Sequence, residues 1–300
     1  MKKLLYMATL LAALIPSQLL AQQDFSKVEI ESTEVRKGIY MLTGSGGNMG
    51  LCVGEDATFL IADQYAPLTE KIKTVVGGIT AEPIGFVLNT HWHGDHTGGN
   101  ENLGEMGALI VAHDNVRTRM STEQFMKAFN RKVAPSPKAA LPVVTFNDTV
   151  TFHLNGEEIH AFHVAPAHTD GDSVIFFKNA NVVHTGDLFF RARFPFIDLS
   201  AGGSFNGMIA ASERLLKLVD NETKIIPGHG ELATKSDLIE YRDMLLLVKE
   251  RVTPLIEAGK TEAEVVAAKP LADSPSWAKG FLNADSFLKI VYQSLKSEGN

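Results

Sequence analysis

Four side chains able to hold a metal ion fall within six residues: His91, His93, Asp95 and His96, in the stretch Asn89-Thr90-His91-Trp92-His93-Gly94-Asp95-His96-Thr97-Gly98-Gly99-Asn100. His91 and His93 are two apart, so in extended backbone they point to one side. Gly94 lets the chain bend and aim Asp95 and His96 at a second point nearby. Such an array of nitrogen and oxygen donors suits two borderline-soft dications, zinc being the usual choice. The competing reading is a polar loop that binds nothing. It is the weaker one, because imidazoles crowded together without a shared ligand depress each other's protonation at a cost.

The stretch follows the apolar run Ile84–Leu88, which reads as a buried strand ending in a Gly-rich turn. Upstream, Val28–Ser32, Ile39–Leu42, Leu51–Val53 and Thr58–Ile61 read as a meander of short strands, with Gly44–Met49 as a flexible hairpin, and Leu68–Val76 as a helix. Downstream, Ala108–Ala112 reads as a strand, and Ser121 with Gln124 fits the capping box of a helix starting near Ser121. The prolines from Pro135 to Pro142 predict an extended connection. Val143–Phe146, Val150–Leu154, Ile159–Val164, Val174–Phe177, Val182-Val183 and Lys224–Ile226 read as strands, with Asn155-Gly156 as a hairpin turn. Helices are expected at Met208–Val219, Asp237–Ala258, Glu262–Ala268 and Ser286–Lys296, with Pro275-Ser276-Trp277 breaking the last two. Strands alternating with helices point to an α/β protein of two packed sheets with helices outside. No internal repeat or low-complexity tract interrupts the pattern.

The spacing His-x-His-x-Asp-His resembles the signature of the metallo-beta-lactamase fold superfamily. That resemblance implies an αββα sandwich of two mixed sheets, and it demands a later His, then an Asp after a strand, then a final His. The chain offers His168 in Pro166-Ala167-His168-Thr169, Asp187 in Thr185-Gly186-Asp187, and His229 in Pro227-Gly228-His229-Gly230, each after a predicted strand. By resemblance, one ion takes His91, His93 and His168, the other takes Asp95, His96 and His229, and Asp187 bridges both. Beta-lactamases with a cysteine ligand carry Cys where this chain has Asp187, so the resemblance leans toward glyoxalase II, lactonases and general hydrolases. The flavodiiron branch carries Glu where His93 stands, which counts against an oxygen-reducing diiron site.

Other residues are more ambiguous. His163 and His184 lie near ligand loops and read either as orienting groups or as ordinary buried histidines; His113, His153 and His160 take the ordinary reading. Asp170 and Asp172 either orient His168 or satisfy loop amides, and Thr97 and Asn100 are expected to hold the metal loop. Arg191 or Arg193 could clamp a substrate carboxylate, although neutralising an acidic surface is the simpler role.

Residues 1–21 read as a signal peptide: Lys2-Lys3, an apolar core from Leu4 to Leu14, and Ala21 before Gln22-Gln23-Asp24, with Leu19 departing from the usual small residue. The expectation is a periplasmic protein with one domain at residues 22–300, in which 235–300 form a helical extension, and no membrane contact after cleavage. The Met244–Val248 stripe of that extension could serve a dimer, but internal packing is the expectation. The formal net charge is −7, more acidic once Lys2 and Lys3 leave, which excludes nucleic acid as the expected partner. The single cysteine, Cys52, is expected to pack in a strand and permits no intrachain disulfide.

The expected chemistry is zinc-dependent hydrolysis of a small-molecule carbonyl substrate (a beta-lactam, lactone, ester or thioester) by a hydroxide shared between two ions, with Asp95 orienting it and passing a proton to the leaving group. Three alternatives use overlapping features: a phosphodiesterase of the same fold, a mononuclear iron persulfide oxygenase, and a non-catalytic periplasmic metal-binding or accessory protein.

Overall fold

The computed structural model describes residues 24–274, 277–278 and 280–299. The expected signal segment at residues 1–21, together with Pro275 and Ser276, lies outside them. β1 (Glu31–Arg36), β2 (Ile39–Thr43), β3 (Met49–Cys52) and β4 (Thr58–Ile61) form an antiparallel meander. After α1 (Thr69–Gly77), β5 (Ile84–Leu88) joins parallel to β4. Two short helices, α2 (Gly94–Thr97) and α3 (Asn100–Glu105), lead to β6 (Leu109–His113), parallel to β5. α4 (Asp114–Met120) and a small hairpin of β7 (Gln124–Met126) and β8 (Arg131–Val133) intervene before β9 (Val144–Phe146) completes the sheet beside β6.

The second sheet is antiparallel through β10 (Thr149–Leu154), β11 (Glu157–His163), β12 (Ser173–Phe177) and β13 (Val182–His184). α5 (Phe205–Leu218) then crosses over to β14 (Lys224–Ile226), parallel to β13. α6 (Lys235–Glu257), α7 (Glu262–Ala267) and α8 (Ala284–Glu298) follow. No helix among the described residues is long and apolar enough to cross a membrane.

The period-2 alternation of strand side chains explains why the central strands read as continuous apolar runs. Phe59 and Ile61 face the inter-sheet core with Leu88, Ile159, Ile175, Phe177 and Ile226. Leu60, between them, faces outward with Val87 onto Ile72 of α1 and Leu103 of α3. On the second sheet, Val174, Val183 and Ile225 face outward onto Phe205 and Leu215 of α5, Leu238 and Leu245 of α6, and Phe287 and Val291 of α8. The result is the αββα sandwich of two mixed sheets with a C-terminal helical extension. Met244 and Val248 are buried in that outer layer, as internal packing requires. Cys52 is buried in the inter-sheet core, and burial pushes its thiol up to about 11.

Several local expectations fail for identifiable reasons. No helix starts near Ser121: Ser121 instead ends α4, its amide donating to Arg117 O, and Gln124 opens β7. His113 supplies the missing start signal by accepting from Asn115 N at the end of β6. The first strand lies at Glu31–Arg36 rather than Val28–Ser32, because the Gly38 turn (φ +76°) fixes its register against β2. The proline segment includes a 3-10 turn at Lys138–Ala140.

Candidate active site

Strand ends on both sheets converge on one point. His91 and His93 follow β5, Asp187 follows β13, and His229 follows β14; His168 sits in the β11–β12 loop. The seven expected residues are brought together: ligand-capable atoms of His91, His93 and His168 lie within 4.8 Å of one another, as do those of Asp95, His96 and His229. Asp187 faces both sets. Its carboxylate lies 3.0 Å from His96, 3.3 Å from His229, 3.5 Å from His168 and 3.9 Å from His91.

The donor set fits cations. His91 Nε2, both ring nitrogens of His96 and Asp187 Oδ1 are buried and have no hydrogen-bond partner among the described residues. Orphaned buried polar atoms in such number are costly. A second observation is sharper. His168 Nδ1 donates to Phe196 O at 2.8 Å, and His93 Nε2 donates to Asp198 Oδ2 at 3.0 Å. With both rings neutral, the remaining nitrogens, His168 Nε2 and His93 Nδ1, face each other at 2.9 Å as two lone pairs. Two lone pairs repel, and a cation between them removes the conflict.

Charge follows the same logic. Burial works to raise the Asp187 pKa, but His229 and then His96, His91 and His168 hold it well below the carboxylate range. Burial opposes ionisation of Asp95 too, yet His96 and His229 bring it down to about 2. Burial, reinforced by His96, pushes His91 well below the usual imidazole value, and burial takes His168 to about 4. His229 goes up to about 10 against the effect of burial, because Asp187 and Asp95 flank it. The imidazoles of His91 and His168 are thus held neutral, the form that coordinates metal.

The Gly44–Met49 turn is pinned rather than loose. Gly47 N donates to Asp95 O, Gln64 donates to Gly47 O at 2.7 Å, and Asn48 Nδ2 donates to Pro227 O and Gly230 O on either side of His229. A Cβ at Gly47 would meet the His96 ring at 2.0 Å, and one at Gly228 would meet Asp187 Oδ1 at 2.1 Å. Both positions therefore need glycine for close approach.

The other named residues sort cleanly. His184 is buried and structural, its Nε2 donating to Asn48 O and its Nδ1 accepting from Gly186 N. His163 stacks on His113 at 3.8 Å, away from the ligand set. Asp172 accepts from His168 N, Thr169 N and Thr169 Oγ1, so it satisfies loop amides, while Asp170 pairs with Arg119. Asn100 ties Asn89 to Ala140 O, and Thr97 donates to His93 O, both holding the metal loop. Arg191 is committed to Glu231, Asp237 and Leu232 O, whereas Arg193 lines the cavity over the site. Sequence reasoning missed Asp198, Tyr65, Asn48 and the β7–β8 hairpin, since none carries a local pattern that marks it.

That cavity, about 770 Å³, is walled by Trp92, Phe190, Phe196, Met126 and Phe129, with Tyr65, Glu101, Arg119, Arg131 and Arg193 among its polar groups and Asp95, Asp187 and His229 also lining it. Phe190 stacks on His229 at 5.1 Å, and Phe129 of the small hairpin packs on Phe196 at 5.1 Å.

Residues 70–229 match the metallo-beta-lactamase superfamily. A hydroxyacylglutathione hydrolase of Pelagibacter ubique is 26% identical over 193 residues, covering 59% of this chain and 68% of the relative. A type 2 metallo-beta-lactamase of Bacillus cereus is 22% identical over 178 residues, covering 59% of this chain and 64%, a little under two thirds, of the relative. A metallo-beta-lactamase from Pontibacter korlensis superposes with a TM-score of 0.59 at 20% identity, over 73% of this chain and 99% of that one, a likeness of fold. With more than half of its length matched and the strand-end cluster in place, the protein belongs to the metallo-beta-lactamase superfamily and is a hydrolytic enzyme.

Proposed function

We propose that the protein is an exported enzyme that binds two zinc ions and hydrolyses a carbonyl substrate: an ester, thioester, lactone or beta-lactam. The observation that carries this reading is the orphaned donor set around Asp187, which lines the cavity. His91, His93 and His168 would hold one ion, Asp95, His96 and His229 the other, with Asp187 shared. Two dications held there supply Lewis acidity to a carbonyl oxygen and bring the acidity of water near neutrality.

The chain's own groups do the rest. Asp95, ionised and with a side chain 23% exposed, is the carboxylate that can accept a proton at the oxygen not turned toward His96 and His229 and return it to a leaving group. Tyr65 keeps its phenolic proton: burial and then Asp95 push it up to about 12, so it serves as a hydrogen-bond donor in the wall. Trp92, Phe190 and Phe196 exclude water from the apolar side. The hydroxyacylglutathione hydrolases and metallo-beta-lactamases among the relatives support carbonyl hydrolysis, and the Lys2-Lys3 leader with its apolar core supports export to a periplasm.

The test is turnover of a chromogenic cephalosporin, a lactone and a glutathione thioester by the mature zinc-loaded protein, with metal content measured on the same sample. Two zinc ions and chelator-sensitive turnover of any of these support the reading, and the preferred substrate names the branch. No turnover of any of the three by protein holding two zinc ions overturns it.

Arg193 has no acidic partner among the described residues and lines the cavity. Arg193→Ala is expected to raise KM roughly tenfold for a carboxylate-bearing substrate, the scale of one charged hydrogen bond, with kcat little changed. Steady-state kinetics on matched substrates with and without the carboxylate measure it. Equal effects on both substrates would remove Arg193 from recognition.

A further inference from the structure

The chain leaving Asp187 runs back across the His93–His168 pair before α5 begins, and two residues of it, Phe196 and Asp198, hydrogen-bond to these histidines. Phe196 O accepts from His168 Nδ1 at 2.8 Å. Asp198 N donates to His168 O at 2.9 Å, and Asp198 Oδ2 accepts from His93 Nε2 at 3.0 Å. The other carboxylate oxygen, Oδ1, accepts from Ser200 N, Ser200 Oγ and Ala201 N, so the carboxylate cannot rotate away. Asp198 is 1% exposed, and among the described residues no other side chain takes the His93 Nε2 proton.

From this geometry we infer that Asp198 is a positioning residue for one of the two ions: it fixes the His93 tautomer so that Nδ1 presents its lone pair to the site, while the Phe196 carbonyl does the same for His168 Nε2. Among the described residues nothing comparable holds the second set. His96 has no hydrogen-bond partner at either ring nitrogen among the described residues. The dependence on Asp198 is therefore selective for the ion of His91, His93 and His168. The inference rests on the two-ion reading above.

Substitution separates positioning from support. In Asp198→Asn the amide oxygen can still accept from Ser200 N and Ala201 N, which leaves the amide NH2 facing His93 Nε2 as a donor. The ring must then accept at Nε2 and carry its proton on Nδ1, the nitrogen aimed at the ion. Rotating the amide instead sets NH2 against two backbone donors. Ser200→Ala removes one bond to Oδ1 and leaves the His93 contact intact.

The experiment is equilibrium dialysis of the mature parent, D198N, D198A and S200A against a zinc chelating buffer, with thermal unfolding and the visible spectrum of the cobalt-substituted protein recorded alongside. The parent should hold two ions. D198N should bind one of the two about 10- to 100-fold more weakly, the usual scale for losing a ligand-orienting partner. Its unfolding temperature should stay near the parent's and its cobalt spectrum should change. D198A should weaken the same ion and also lose thermal stability; S200A should behave as the parent. D198N holding both ions with parental affinity overturns the inference, as does equal loss of both ions with a lowered unfolding temperature. A parent that holds fewer than two ions overturns the two-ion reading itself, and the inference with it.

Discussion

Asp187→Asn should cut kcat/KM by about 10³-fold or more and leave the protein holding fewer than two zinc ions. The side chain is 5% exposed and lies within 3.0–3.9 Å of four imidazoles drawn from both ligand sets. Asparagine keeps its shape and removes the charge, so the change isolates the electrostatic part. Loss of one preorganised stabilising group alone accounts for about 10²–10³, and here the ion occupancy falls as well. The fold should persist, because the inter-sheet core of Phe59, Leu88, Ile175 and Ile226 does not depend on this carboxylate. Metal analysis, kinetics and circular dichroism on one preparation measure all three. A variant with two ions and near-parental turnover would remove Asp187 from between the sets.

Asp95→Asn should act on kcat. Its carboxylate lies 3.4 Å from His229 and 3.8 Å from His96, is more exposed than Asp187 and lines the cavity. An amide oxygen can still face an ion but cannot take a proton at physiological pH. The expected fall in kcat is about 10²–10⁴-fold, the range for removing a general acid–base group. KM should move much less, and at least the ion of His91, His93 and His168 should remain. Steady-state kinetics beside zinc content decide it. A fall in KM matching the fall in kcat would point to ground-state strain instead, and parental rates would remove Asp95 from proton transfer.

These two residues also show how differently parts of the site can be read. The first four donors were legible from residue type and spacing, whereas the three distal ones were pointed to by the family resemblance those four carry. His91, His93, Asp95 and His96 are adjacent in the chain, and His168, Asp187 and His229 each come just after a predicted strand. The sandwich was legible for a related reason: a strand buried on both faces must be apolar throughout, as Thr58–Ile61 and Ser173–Phe177 largely are. The strand boundaries were less so. Glu31–Arg36 took its register from a partner across the Gly38 turn, and Ser121 offered a capping pattern at what became a helix end.

Sequence therefore marked the dense donor loop after a strand by itself, because donor type and hydrophobic periodicity are local properties, and through the family resemblance it pointed to the three distal donors. Tertiary structure alone decided which groups orient those side chains. Asp198 lies 105 residues from His93, Asn48 reaches the His229 loop across 182, and Arg191 is drawn away to α6 while its near neighbour Arg193 is left in the cavity. No short-range pattern encodes such pairings, since a carboxylate or amide finds its partner only when the packed sheets bring distant loops to the same place.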